Sequence, residues 1–332
     1  MSLLDVIPAE KRDHAAQALD QAFGQSAPSS LAAVRGGGSG ALTYRVEVGG
    51  RPYLMRMETA RDVFRDARRG FACMRIAADA GLAPPVRHAD ADTGVAIMDF
   101  LPQRPLGDFP GGPEALAGAV GVLVARLQAT SLFPALAGYT FLIDRMLSHL
   151  TTTVAPGLLA AHRAAFDEIR EAFGWDDTAL VSSHNDVNPG NVIFDGERLW
   201  LIDWETAYRN DPLIDVAIAV ENFAPDAATQ SALVGAWLGR APDERLTARL
   251  YLARLLSRLQ YGVLLLNLVG LAPDVDFTAP RRRELEAQVA AGLQLHPEPA
   301  TLRLLAKVFL REFIAGLEAP EFARAMAVAR LG

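Results

Sequence analysis

The sequence predicts an α+β fold, a small β-rich part followed by a larger helical one, and three observations carry that prediction. Leu42 to Val48 alternates polar and apolar residues at period two, Gly49-Gly50 signals a tight turn, and Tyr53 to Met57 reads as the return strand. From residue 113 onward the apolar spacing is mostly helical, and Pro102 and Pro105 punctuate the change. A length of 332 residues suits two domains or one large bilobal unit. With 51% hydrophobic residues the chain can bury a sizeable core, which excludes global disorder.

The elements follow in order. A first helix is predicted over 8–23, with Pro8 suited to its first position, Ala15, Leu19 and Phe23 on one face, and Gly24 as its stop. After a polar linker over 25–30, Leu31 to Arg35 reads as a strand. Gly36-Gly37-Gly38-Ser39-Gly40 then forms a loop whose freedom only a glycine-rich segment supplies. Residues 31–57 thus give three antiparallel strands. A helix over 61–80 ends at Gly81 ahead of Pro84-Pro85, and strands are predicted over 86–88 and 94–100. Helices are expected over 114–130, 140–150, 156–173, 226–239, 243–269, 280–294 and 299–328, with short β-like runs between 181 and 204. This divides the chain into an N-terminal helix (1–25), a β-rich lobe (26–102) and a helical lobe (103–332).

Composition removes several function classes. A net charge of −7 argues against a nucleic-acid binder that relies on bulk positive charge. The single cysteine, Cys73, excludes an intramolecular disulfide framework and a cysteine-based metal cluster. Only Lys11 and Lys307 are lysine among 32 basic residues, which disfavours Schiff-base chemistry, and no Gly-Lys-Ser/Thr of a phosphate-binding P-loop occurs. The longest apolar runs are interrupted by Arg126 and Asn267, short of the roughly 18–20 residues that span a bilayer. Asp5, Glu10, Lys11 and Arg12 occupy the place of a signal peptide's apolar region. A soluble cytoplasmic protein without membrane or nucleic-acid partners is the expectation.

The chemistry is concentrated in His184-Asn185-Asp186-Val187-Asn188-Pro189-Gly190-Asn191 and, beyond a turn at Asp195-Gly196, in Leu201-Ile202-Asp203-Trp204-Glu205. The spacing H-x-D-x-x-x-x-N places a carboxylate and an amide on one loop, and Asp203 adds a second carboxylate at a strand end. Phosphoryl transfer needs such a set: one carboxylate to orient a hydroxyl and take its proton, and oxygen donors for Mg²⁺, a hard cation. Taken singly, an Asp in a Gly/Pro loop is a turn former and an Asn a cap. Asp203, however, closes an apolar run where an unpartnered carboxylate is costly.

With these motifs the chain resembles the kinases of the aminoglycoside phosphotransferase and choline/ethanolamine kinase superfamily, which share a protein-kinase-like bilobal fold. The resemblance covers roughly residues 30–220. It implies Asp186 as catalytic base, Asn191 and Asp203 as Mg²⁺ ligands, and His184 as the residue that holds the catalytic loop and the metal-binding segment in register. It also implies that Gly36, Gly37, Gly38, Ser39 and Gly40 cover the phosphates of ATP. Gly36-x-Gly38-x-x-Ala41 matches a dinucleotide fingerprint, but that motif requires a helix after it, and Leu42 to Val48 reads as a strand.

The third strand should carry a basic residue for the phosphates, and Arg56 occupies the place, always charged and able to bind phosphate bidentately. Asp66, with Asp62 a turn earlier, is the nearest helix carboxylate to pair with it. Thr93 to Pro102 resembles the strand and hinge that bind adenine, through Asp99 C=O and Leu101 N–H. Like choline/ethanolamine-type members, the chain has Glu205, Ala207, Asn210 and Asp215 after the metal-binding aspartate; it departs at Thr206, with Tyr208 as a candidate substitute aromatic. Glu205, Tyr208 and Asn210 are therefore the acceptor candidates, and Asp215 is expected to bond backbone N–H groups of the catalytic loop.

The expected protein is an ATP- and Mg²⁺-dependent O-kinase of a small, cationic hydroxyl acceptor: choline, ethanolamine or a related amino alcohol. An aminoglycoside or other metabolite kinase, or a non-catalytic pseudokinase that binds nucleotide, are the alternatives. No Ala-Pro-Glu segment follows Asp203, which disfavours a protein-substrate kinase.

Overall fold

The computed structural model describes residues 3–34, 40–59, 65–153, 157–270, 278–291, 293 and 298–330. In chain order they form α1 (Arg12–Phe23), β1 (Pro28–Ala33), β2 (Leu42–Val48), β3 (Arg51–Met57), α2 (Ala67–Asp79), β4 (Val86–Asp90), β5 (Val95–Asp99), α3 (Gly112–Gln128), α4 (Tyr139–Thr153) and α5 (Ala160–Ala172). There follow β6 (Val181–Ser183), β7 (Val192–Phe194), β8 (Leu199–Leu201), β9 (Tyr208–Asn210), α6 (Pro212–Phe223), α7 (Ala227–Leu238), α8 (Glu244–Val269), α9 (Arg282–Ala290), α10 (Pro299–Leu317) and α11 (Pro320–Arg330). The chain gathers into two compact units. One comprises Met1–Leu136, Leu180–Asp215 and Asn222–Arg240, the other Ala137–Ala179, Val216–Glu221 and Ala241–Gly332.

The first unit is built on an antiparallel sheet of order β1-β2-β3-β5-β4. Gly49 and Gly50 make the β2–β3 turn at φ 58° and 74°, which glycine adopts without steric cost. Tyr44, Val46, Val48, Met55, Met57 and Ile97 bury one face of the sheet together with Ala15, Ala18 and Leu19 of α1. The period of two then puts Leu54 and Arg56 on the other face. Helix α2 packs closely on the segment after Asp203: a Cβ at Gly70 would lie 3.3 Å from Trp204 O. Leu201 N–H donates to Leu82 O at 2.8 Å. These contacts group the sheet with residues 180–215, so the compact division falls elsewhere than the expected boundary at residue 102. Helix α3 packs on α7, where the Leu233 carbonyl occupies the space a Cβ would need at Gly121.

The second unit is helical. Phe166, Ile169, Phe173, Leu252, Leu256 and Phe313 are among its fully enclosed side chains. By length and a mean hydropathy of 1.2, α8 is apolar enough to cross a membrane, but half of that window is buried within the protein. It also carries Arg254 and Arg258, which converge on Glu221. Glu221 Oε1 accepts from Arg254 Nε at 2.6 Å and Arg258 Nη2 at 2.9 Å, and its Oε2 from Arg258 Nε at 2.9 Å. Arg282 Nη1 lies 3.5 Å from Oε2. Burial opposes ionisation of Glu221, but Arg258 and Arg254 outweigh it and pull the carboxyl down to about 2.

Several elements differ from expectation. The strand expected at Leu31 to Arg35 begins at Pro28 and ends at Ala33, and Arg35 lies outside the described residues. Of the expected 61–80 helix, 60–64 lie outside them, and α2 begins at Ala67, capped by Asp66. The long helix expected over 299–328 is two, because Pro320 has no N–H to continue α10 and instead opens α11. Helix α6 was not anticipated: Leu213, Ile214 and Val216 to Val220 are all buried, so the helix has no polar face to reveal its period.

Candidate active site

The site lies wholly within the first unit, in a cavity of about 630 Å³ lined by Arg56, Asp186, Asn191 and Asp203, with Leu54 and Met98 among its apolar walls. The catalytic-loop sequence runs from β6 to β7 and is fixed from beneath. Fully buried Asp215 accepts His184 N–H at 2.8 Å and Asn185 N–H at 2.7 Å, as expected of it. Burial raises the Asp215 carboxyl above its ordinary range, against the pull of His184. His184 Nε2 meets Ile202 O at 2.9 Å, a bond that ties the loop to the residue before Asp203.

Asn185 is a second tie that the sequence reading passed over. Its Nδ2 donates to the carbonyls of Ser183, Thr206 and Tyr208, each at 3.2 Å, and its Oδ1 accepts from Asn210 Nδ2 at 2.7 Å. Asn185 and Asp203 are the two non-glycine residues with positive φ among the described residues, at 61° and 65°. Backbone strain of this kind persists where the surroundings over-determine it, often at functional sites.

Asp186 presents its carboxylate to two amides. Asn188 Nδ2 donates to Oδ1 and Asn191 Nδ2 to Oδ2, both at 2.8 Å. The H-x-D-x-x-x-x-N spacing therefore brings Asp186 and Asn191 into direct contact, and with Nδ2 so engaged, Asn191 has its amide oxygen as an acceptor for a cation. Asp203 Oδ1 is buried without a hydrogen-bond partner, although Arg56 Nη1 lies 3.0 Å away in an ion pair. A buried carboxylate oxygen so little satisfied, on the cavity that Asn191 also lines, adds to its amide oxygen a hard donor set that fits Mg²⁺.

Arg56 stands at the centre of three carboxylates. Its Nε donates to Glu58 Oε1 at 2.8 Å and its Nη2 to Glu205 Oε2 at 3.1 Å, in addition to the Asp203 pair. Burial disfavours its charge, but Asp203, Glu58 and Glu205 raise its pKa further above the ordinary value. Burial and the neighbouring Asp203 push the Glu205 carboxyl up to about 7, against Arg56. In the sheet register Leu54 faces Met98 and Arg56 faces Ala96. Leu54 is thus nearer the Asp99 end of β5, and Arg56 lies two residues, roughly 7 Å, farther along. Arg87 clamps the Asp99 carboxylate with Nε at 2.6 Å and Nη2 at 2.7 Å, and Asp99 and Leu101 both line the cavity.

Several expected roles need correction or fall outside the described residues. Asp66 does not pair with Arg56: it caps α2, accepting Arg68 N–H at 3.0 Å. In its place α2 contributes buried Arg69, which donates to Glu205 O at 2.6 Å and Ala207 O at 3.0 Å. Tyr208 and Asn210 are buried in the β6–β9 ribbon, where the Asn210 amide and the Tyr208 carbonyl are both bonded to Asn185, so neither lines the cavity. Glu205 does line it, but its carboxylate is held by Arg56 rather than presented to an ammonium group. Gly36, Gly37, Gly38 and Ser39 lie outside the described residues; Gly40 is described, and its carbonyl accepts from Thr59 Oγ1 at 2.5 Å.

A small antiparallel sheet joined at Asp99–Leu101 to a mostly helical remainder, with this loop beside it, is a protein-kinase-like phosphotransferase fold. The chain belongs to the phosphotransferase enzyme family, whose model matches residues 31–251. A choline/ethanolamine kinase family protein from Mesorhizobium loti superposes with a TM-score of 0.71 at 21% identity, covering 97% of this chain and 100% of that one. The choline kinase LicA from Streptococcus pneumoniae superposes at 0.62 with 12% identity, covering 93% of this chain and 99% of its own. Protein LicA of Haemophilus influenzae is 41% identical over 56 residues, a stretch of 17% of this chain and 15% of that protein.

Proposed function

We propose that the protein is an ATP- and Mg²⁺-dependent kinase that phosphorylates a hydroxyl group of a small molecule, with choline, ethanolamine or a related amino alcohol as the leading acceptor. The observation that carries this reading is the convergence of Asp186, Asn191, Asp203 and Arg56 on one cavity bordered by Asp99 and Leu101. The hinge backbone at Asp99 and Leu101 takes the adenine edge, and Arg56 and Gly40 lie toward the phosphates. Asn191 and Asp203 would hold the metal, which when bound would offset charge on the phosphates. Asp186 orients the acceptor hydroxyl and takes its proton as the oxygen attacks the γ-phosphorus in line; the bond from that phosphorus to the β,γ-bridging oxygen breaks, ADP leaves, and Arg56 counters the charge that develops. Asn188 and Asn191 fix the Asp186 carboxylate in place for that task.

The choline-like acceptor is supported by the likeness to a choline/ethanolamine kinase family protein and to the choline kinase LicA from Streptococcus pneumoniae, each along nearly the whole chain. It no longer draws on Tyr208 and Asn210. The test is Mg²⁺-dependent release of ADP from ATP across choline, ethanolamine, aminoglycosides and sugar alcohols, with Asp186→Asn as control. Turnover with an amino alcohol, lost in the variant, is the expected result. Turnover with an aminoglycoside alone would move the acceptor class, and nucleotide binding without any turnover would favour a pseudokinase.

A further inference from the structure

We propose that Glu58 is the positioning residue of Arg56: it holds the guanidinium through Nε so that both terminal nitrogens face the phosphate end of the cavity. This rests on the phosphoryl-transfer reading given above. A guanidinium is planar, so fixing Nε fixes the plane and the directions of the remaining donors. Of the three carboxylates around Arg56, Glu58 alone engages Nε; Asp203 and Glu205 meet Nη1 and Nη2. Those two terminal nitrogens are the ones a triphosphate would recruit, and Asp203 is the carboxylate a metal would take. Glu58 is the partner that neither event removes.

Glu58 is itself placed in advance. It follows Arg56 by two residues, just past the end of β3, so the period of two directs both side chains to the same side. Its N–H donates to Gly94 O at 2.9 Å, and its carbonyl accepts from Lys11 Nζ at 2.9 Å. Gly94, at φ 70°, passes close by: a Cβ there would be 3.4 Å from the Glu58 Cβ. Helix α2 supplies no rival carboxylate, since Asp66 is spent on its cap and Arg69 on the carbonyls after Asp203. The arrangement also accounts for arginine at position 56. A lysine ammonium has no Nε–H to be held separately from the donors that bind phosphate.

The test is equilibrium binding of Mg²⁺ with a non-hydrolysable ATP analogue, which needs no knowledge of the acceptor. Glu58→Ala is expected to weaken binding about tenfold, the scale of one charge-assisted hydrogen bond. Glu58→Gln, which keeps an oxygen acceptor for Nε, should recover most of that loss. In an Arg56→Lys background Glu58→Ala should change affinity less than about twofold, because the contact it removes no longer exists. Where turnover is measured, the KM for ATP should rise and the KM for the acceptor should not. If Glu58→Ala lowers Tm, Glu58→Met replaces it in the cycle, preserving bulk without a strong acceptor. Unchanged affinity in Glu58→Ala, or an equal loss in both backgrounds, would overturn the proposal. Wild-type binding with no acceptor-dependent ADP release overturns the kinase reading and leaves Glu58 to be decided by the binding cycle; absence of wild-type binding overturns both.

Discussion

Two half-buried charge clusters in this protein are mirror images in composition. In the first unit one arginine, Arg56, faces three carboxylates; in the second one carboxylate, Glu221, faces three arginines. Their titration diverges accordingly. Glu205, pushed first by burial and then by neighbouring Asp203, rises to about 7, while Glu221, surrounded by cations, is drawn down to about 2. Both sit in partly desolvated surroundings where a charge persists only with partners. The difference lies in what each cluster leaves over. Around Arg56 the excess is negative, it lines a cavity, and Asp203 Oδ1 still lacks a hydrogen bond. Around Glu221 the carboxylate is saturated by arginines that pin α6, α8 and α9 together. The first arrangement leaves a carboxylate oxygen that a bound cation, as proposed above, would satisfy; the second spends its charge on holding helices in place.

The contrast predicts its largest effect at Asp203. Asp203→Asn tolerates the positive φ of 65°, since asparagine visits that region readily, and removes the charge that a metal needs. Turnover should fall by about 10³-fold or more, on the scale of several kcal/mol of transition-state stabilisation. Tm should hold or rise, because an underused carboxylate has been removed from a crowded group. A variant that unfolds while keeping its turnover per folded molecule would make Asp203 a stabilising residue and erase the distinction between the two clusters.

The second effect is in stability and has the opposite sign. Glu221→Gln removes the carboxylate that three arginines share, and removing one partner from a buried ionic group typically costs about 3–5 kcal/mol. The pH dependence follows from the depressed pKa. Because Glu221 titrates near 2 when folded and near 4.5 when unfolded, its contribution is complete above about pH 4.5 and fades as pH falls toward 2. The shift corresponds to about 3 kcal/mol. The Tm gap between wild type and Glu221→Gln should therefore be widest near neutral pH and close on acidification. A gap independent of pH would mean that packing of the side chain, not its charge, carries the effect.

What was legible in the sequence divides along similar lines. The sheet was readable because period-two alternation and the Gly49-Gly50 turn are local signals. The loop residues Asp186, Asn191 and Asp203 were readable because their spacing is itself the geometry. Arg56 was readable as the basic residue of its strand, but its partners were not. Glu58 was hidden by an expectation that a helix would supply the carboxylate, although its place two residues along the same strand face was a usable signal. Glu205 was identified as a site residue and given the wrong neighbour, since nothing local states that Arg56, 149 residues away, reaches it. Tyr208 and Asn210 illustrate the reverse error: polar residues near a motif were assigned to ligand, whereas Asn185 absorbs them into the scaffold. Glu221 was not legible as the centre of an ionic group, because a cluster assembled from α6, α8 and α9 leaves no pattern in any one of them.

The smallest effect is also the sharpest test of the comparison. Glu205 titrates near 7 when folded, above its ordinary 4.5, so the folded state prefers it protonated. That preference adds stability below about pH 4.5 and is lost as pH rises through 7. Gln has the shape of the protonated form and never ionises. Glu205→Gln should therefore leave Tm unchanged near pH 5 and raise it near pH 8, where the gain in stability is about 1 kcal/mol once solvent screening of this partly exposed group is allowed for. Loss of a carboxylate would then stabilise the anion-rich cluster just where loss of Glu221 destabilises the cation-rich one. If Glu205→Gln instead lowers Tm at pH 8, the Arg56 pair outweighs the repulsion from Asp203, and the first cluster is a stabilising network like the second. Repeating the scan with Mg²⁺ and the ATP analogue separates the two cases. Bound cation removes the repulsion, so the gain at pH 8 should vanish in the loaded protein if surplus negative charge is its source.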